Sequence, residues 1–272
     1  MATWLARLHL WHDINYSPWY GCSHLKRVLQ GASAAAPSTT RRPKRLAVTI
    51  AHLVALKSNL SNSNTFDAAV LAIACIDFWG QCRLAELCID SVFDLQKHPT
   101  RNSLRRCGIT ATGIKYGSFW APSTKTSPDG QEILWTDSVC PASAIWAIKN
   151  HLEVNDKLPT SAHLFAFEVD DGKHYAMKRS WFLDRCNEIW KSATLPTITR
   201  HSFRIGGTTH LLLIGVDPFV VMVQGWWKSN AFLKYWRNCE EIMPTLIGFS
   251  LHSCSSILTQ ISAFKQRLIA HS

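Results

Sequence analysis

The stretch RHSFRIGGTTHLLLIGVDPFVVMVQGWWKSNAFLKYWRN, residues 200–238, decides how the chain is read. It sets a His and an Arg three apart, a Gly before two Trp, and a Tyr nine residues after the first Trp. Apolar periodicity predicts a helix from His201 to Ile214, ended by Gly215. Asp217 then caps a second helix with Pro218 at its first position, and this helix stops near Gly225. Ser229 or Asn230 caps a third helix carrying Phe232, Leu233, Tyr235 and Trp236. Three short helices with two turns let polar groups that are distant in sequence face one cavity.

Upstream, VTIAHLVALKSNL at 48–60 is amphipathic, with Ile50, Leu53, Val54 and Leu56 as its apolar stripe. Asn64 or Thr65 caps FDAAVLAIACIDFW, which is apolar almost all round and so reads as a buried helix. Gly80 stops it, and helical signal resumes at Arg83 in RLAELC. KYGSFWAPSTK, the turn former Ser127-Pro128-Asp129-Gly130 and QEILWT together predict a β-hairpin over 115–136. PASAIWAIKNHL and SWFLDRCNEIW return to helix. The expected class is mainly α with a small antiparallel β element.

The 272 residues suffice for one large domain and a smaller piece. GASAAAPSTTRRP at 31–43 reads as a linker, and HLKRVLQGA before it as a helix. This gives a helical remnant plus basic linker over 1–43, a main domain over 44–240 and a helical tail over 241–272, where Ile257, Ile261, Phe264 and Leu268 recur at helical spacing. The tail serves equally to pack on a neighbouring subunit or to fold back on its own domain.

Net charge is +10, with a pI near 9.3, which favours a polyanionic partner, nucleic acid or a membrane surface alike. Residues 1–57 hold eight Lys and Arg against the single acid Asp13, so most of the excess lies in the first fifth of the chain. RRPKR at 41–45 reads equally as a nuclear import signal or a solvated basic linker. Nine Cys, an odd number without a C-x-x-C pair, argue against a disulfide framework and a zinc ribbon and fit a reducing intracellular setting. Cys75, Cys82 and Cys88 read as small core residues. No apolar run reaches the length of a membrane helix, because Asp77 and Asp217 break the longest ones.

Breaking a phosphodiester without a metal needs a nucleophile, cationic donors for the non-bridging oxygens, a base, and an acid for the departing oxygen. Arg suits the donor role because its charged planar fork donates bidentately. Arg83 follows an apolar helix and Arg204 lies within one, so ordinary solvation explains neither. An ion pair to Glu86 is the competing account of Arg83, and a snorkelling side chain that of Arg204. Singly, His201 reads as a cap or a core residue, Lys125 as a solvated turn residue, and Trp226, Trp227 and Tyr235 as packing aromatics.

Jointly, Arg83-Leu-Ala-Glu86-Leu, Lys125, His201-x-x-Arg204, Gly225-Trp226 and Tyr235 resemble, in order and spacing, the pattern of the tyrosine recombinases, the phage-type integrase family. FWGQCRLAEL, PSTKT, HSFRIGGTT and WWKSNAFLKYWR look most like recombinases of fungal mobile elements such as Cryptons. The resemblance covers residues 45–240. It implies a recombinase catalytic domain behind a truncated helical N-terminal piece, and a site-specific recombinase or integrase that works without metal or cofactor.

By the same resemblance Tyr235 is the nucleophile, leaving a 3′-phosphotyrosyl link. Arg83 and Arg204 clamp the phosphate, His201 takes the proton, Lys125 protonates the leaving 5′ oxygen and Trp226 donates its indole N–H. Glu86 orients Arg83 or His201. Trp227 takes the place of Trp226 if the register slips by one. Arg41, Arg42, Lys44 and Arg45 are expected to touch DNA. The implied partner is double-stranded DNA held by a homotetramer, not a membrane, and the implied location is the nucleus. Two other classes stay open: a non-catalytic DNA-binding protein of the same fold, favoured by the short N-terminal piece, and a type IB topoisomerase.

Overall fold

The computed structural model describes residues 2–21, 23–40, 45–90, 92–137, 140–169, 172–227 and 240–251. Serine 229, Asn230, the predicted helix around Tyr235, and the tail residues Ile257 to Leu268 lie outside them. The chain divides into two compact units, Met1–Lys44 and Arg45–Ser272.

The first unit is two helices, α1 (Ala2–Ile14) and α2 (Ser23–Ala35). Only the second was expected, and it runs to Ala35, inside the stretch read as linker. Ala32, Ala34 and Ala35 carry the strongest helix propensity, and the chain leaves the helix just before Pro37. No residue of α2 is buried. Trp19 packs between His9 and His12, with ring centroids 4.8 and 5.2 Å away, while Trp4, Trp11 and Tyr16 stay exposed.

The second unit is built around α4 (Thr65–Trp79), whose residues from Asp67 onward are all buried. Its cap is as the sequence suggests: Asn64 accepts from the Asp67 amide at 2.9 Å. Around it lie α3 (Ile50–Asn59), α6 (Ala144–Val154), α7 (Arg179–Ser192) and α8 (Ser202–Leu213), with α6 and α8 packed on it most extensively. Polar ties fix the layers. Arg185 of α7 forks onto Asp67 of α4, both contacts at 3.0 Å, and the Trp190 indole donates to the His52 carbonyl of α3 at 2.9 Å. Cys75, Cys82, Cys88 and Cys186 are buried thiols, and burial pushes Cys75 up to about 12.

The β element is larger than the predicted hairpin. Strands β2 (Lys115–Ala121) and β3 (Gln131–Thr136) pair from Tyr116↔Thr136 to Ala121↔Gln131. A third strand, β1 (Leu104–Ile109), pairs antiparallel with β2 through a register shift near Arg106. Its sequence LRRCGI has no apolar alternation, so only its partner reveals it. Strands β4 (Ala166–Glu168) and β5 (His174–Ala176) form a second small hairpin. The fold is mainly α with small antiparallel sheets.

At the far end, α9 (Pro218–Gln224) starts at Asp217, whose carboxylate accepts from the Phe219 and Val220 amides, and ends at Gly225. Residues 240–251 are helical, and Ile242 is buried with Leu212 and Val221. Among the described residues no helix is long and apolar enough to cross a membrane.

Candidate functional site

The site begins where α4 stops. Gly80 ends the helix and Gln81 turns the chain through a left-handed φ of 50°. Arg83 then becomes the N-cap of α5 (Leu84–Leu87). The buried Glu86 accepts from both the Arg83 amide at 2.9 Å and its Nη1 at 2.8 Å. One carboxylate thus caps the short helix and orients the guanidinium. The ion pair first set against a functional Arg83 is present, and it holds the fork in place.

Arg83 Nη1 also reaches Thr126 Oγ1 at 3.3 Å. Thr126 lies in a tight turn closed by Thr124 N–H to Ser127 O at 2.9 Å, and a second turn, Ser127 to Gly130, follows. Lys125 is the exposed residue of the first turn. The β2–β3 connection therefore presents its cation next to the residue that touches Arg83.

Helix α8 supplies the rest. Its first residue follows His201, the N-cap, and Arg204 lies one turn in, only 3% exposed. So deep a guanidinium needs the helix close to the core, and Gly206-Gly207 permits it. A Cβ on Gly206 would sit 2.0 Å from the Val48 carbonyl oxygen, and one on Gly207 2.0 Å from that of Phe78. Backbone meets backbone there, so α8 is docked directly on the end of α4.

Arg204 Nη2 donates to the Gly225 carbonyl, and the guanidinium lies 4.1 Å from the ring centre of Trp227. The adjacent Trp226 faces elsewhere. Its φ of 55° is left-handed, and its ring, 41% exposed, lines an apolar groove of about 560 Å3 with Tyr116, Leu134, Phe219 and Val223. Of the two indoles, Trp227 is the one beside Arg204.

Charge is concentrated here. Burial lowers the His201 pKa, and the charges of Arg45, Arg200, Arg204 and Arg83 lower it further, in that order, so the ring is neutral at neutral pH. Asp77, fully buried near the end of α4, has no hydrogen-bond partner for either carboxylate oxygen among the described residues. Its pKa is raised by burial and then by Glu86, with Arg204 opposing.

The structure thus gathers Arg83, Glu86, His201, Arg204 and the Lys125 turn, with Arg45 exposed at the edge. Tyr235, Arg41, Arg42 and Lys44 lie outside the described residues. Sequence reasoning gave no role in the site to Asp77, Gln81, Thr208 and Gln224, although Gln81 and Thr208 lie inside the family-like phrases FWGQCRLAEL and HSFRIGGTT. The one signal was a helix break at Gly80 with a large polar residue directly after it.

No protein-family model matches the chain, and no curated protein matches it in sequence. Solved structures do resemble it. The crystal structure of XerA recombinase aligns with a TM-score of 0.49 at 15% identity, covering 81% of this chain and 67% of that one. XerH site-specific recombinase, in a post-cleavage complex with palindromic difH substrate, gives 0.48 at 15% identity, covering 72% and 51%. A Flpe–Holliday junction complex gives 0.44 at 14%, covering 84% and 53%. The aligned part spans about two thirds of the XerA chain and about half of the other two.

Proposed function

We propose that the protein cuts and rejoins DNA strands as a tyrosine-recombinase-type enzyme. One observation carries the reading: the charges of Arg83 and Arg204 both act on His201 and lower its pKa, and Arg83 also touches the turn that carries the exposed Lys125. Two forks of positive charge around a neutral base suit a phosphodiester, whose non-bridging oxygens gain charge in the transition state. Arg204 donates to the Gly225 carbonyl and lies against the Trp227 ring, which orients its fork.

In this reading the Tyr235 oxygen attacks phosphorus and its proton passes to His201. The P–O5′ bond breaks, and the 5′ oxygen takes a proton from Lys125. The phosphotyrosyl bond conserves the energy of the phosphodiester, so an incoming 5′-hydroxyl reverses the step. Trp227, rather than Trp226, is the indole we assign to the phosphate, because it already lies on Arg204. The basic run at 41–45 and the motif resemblance support extending the proposal to a mobile-element integrase that acts on double-stranded DNA in the nucleus as a tetramer.

The test is a randomised pool of nicked DNA duplexes, which trap the covalent state by letting the short cleaved fragment diffuse away. SDS-resistant adducts mapping to Tyr235 are expected. Tyr235→Phe should abolish them and leave DNA affinity within about twofold, since the hydroxyl serves only the attack. Adducts that persist in that variant reject the nucleophile. Retained DNA binding without any adduct favours the non-catalytic DNA-binding reading.

A further inference from the structure

We propose that Gln81 is a positioning residue that locks the three segments of the site together through Thr208 and Gln224, an inference that rests on the proposed function. Gln81 is 1% exposed, and its backbone sits at φ 50°, a conformation that disfavours side chains with a Cβ. Glycine would suit that turn at no steric cost. A large amide there needs a reason, and its contacts give one.

The hydrogen bonds run in one direction. Gln224 Nε2 donates to the Trp79 carbonyl at 2.8 Å and to the Leu134 carbonyl at 3.5 Å, which leaves its Oε1 as an acceptor. Gln81 Nε2 donates to that oxygen at 3.1 Å, so Gln81 Oε1 is free to accept, and it does so from Thr208 Oγ1 at 3.0 Å. Each amide nitrogen and oxygen in the chain has a partner.

Each end lies next to a site residue. Gln81 is two residues before Arg83. Thr208 is four after Arg204, on the same face of α8. Gln224 precedes Gly225, whose carbonyl holds Arg204, and lies three before Trp227, whose ring covers it. One amide therefore ties the Arg83 turn, the His201–Arg204 helix and the end of α9. A buried polar chain of this kind fixes relative position more than it adds stability.

Gln81→Gly separates the two roles, because it relieves the left-handed strain while it cuts both bonds. The full-length chain is compared with Gln81→Gly, Thr208→Val, Thr208→Ser and the Gln81→Gly/Thr208→Val double variant. Hydrogen exchange is read at the amides of Gly225, Trp226 and Trp227, which are now bonded to Val221, Val223 and Met222.

In Gln81→Gly the melting midpoint is expected to stay within about 4 °C. Exchange at those three amides should rise about tenfold while the α4 amides stay protected. Adduct formation on the nicked pool should slow about tenfold or more at unchanged DNA affinity, the mark of misplaced rather than missing groups. Thr208→Ser, which restores the hydroxyl, should recover the rate lost in Thr208→Val, and the double variant should be no slower than Gln81→Gly alone. Unchanged exchange in Gln81→Gly overturns the proposal, as does a double variant whose losses multiply. If the unsubstituted chain gives no adduct, the proposed function has failed, and the exchange measurement still decides whether the lock exists.

Discussion

Helix α4 enters the core on its side chains, whereas α8 adds to its buried Phe203, Ile205 and Leu212 a direct backbone contact. From Ala68 to Trp79, α4 offers its neighbours aliphatic and aromatic surface, interrupted only by Asp77. Helix α8 meets the Val48 and Phe78 carbonyls through Gly206 and Gly207, and the polar groups of Arg204 and Thr208 make its specific bonds. The first arrangement derives stability from area and tolerates small shifts. The second adds to that area a contact that leaves the helix one position, which is what a site built from separate segments requires.

The largest effect should come from removing volume on the α4 side. Phe165 is fully buried, 6.3 Å from the Phe119 ring. Phe165→Ala is expected to lower unfolding free energy by about 3–5 kcal/mol in a denaturant titration, with adduct formation per folded molecule unchanged.

Arg204→Ala is read in the rate per folded molecule, because truncating a buried charged side chain that has partners also costs stability. The loss of one transition-state donor should slow adduct formation on the order of a hundredfold or more. A mild loss of rate would place Arg204 with the packing residues and erase the contrast.

The smallest effect is a sharpening in pH. His201 is held below its ordinary 6.5, first by burial and then by the surrounding Arg residues. Its base form therefore survives as pH falls through 6.5, and is lost only below it. Adduct formation at pH 6.5 should exceed half of its plateau at higher pH, where an unshifted His would give half. A midpoint at or above 6.5 removes His201 from the role of base.

What the sequence made legible follows the same division. Helix α4 was readable from its cap at Asn64, its apolar run and its stop at Gly80, since side chains that bury themselves advertise the fact. The β2–β3 hairpin was readable from Ser127-Pro128-Asp129-Gly130. Strand β1 was not, because LRRCGI becomes a strand through pairing with β2 and not through its own pattern. Helix α1 escaped notice because its apolar residues are interrupted by Arg7, His9 and His12 without a clear face. In the site, Arg83, His201 and Arg204 were visible as a spacing. Trp226 and Trp227 were indistinguishable until a left-handed φ turned one ring to the sheet and the next to Arg204. Gln81, Thr208 and Gln224 had no signature, because their meaning lies in three-dimensional proximity across more than a hundred residues.

The glycine contact also determines when the site comes into being. Each Gly inside a helix costs about 0.5–1 kcal/mol relative to Ala. Thr208 and Thr209 add β-branched stiffness, and a helix of this length is marginal alone in water. Residues 202–213 thus have little reason to wind up before they meet the carbonyls of Val48 and Phe78. The spacing of His201 and Arg204 leans on the contact of Gly206 and Gly207 with the Val48 and Phe78 carbonyls. A chain without that contact carries the charges of the site without its geometry.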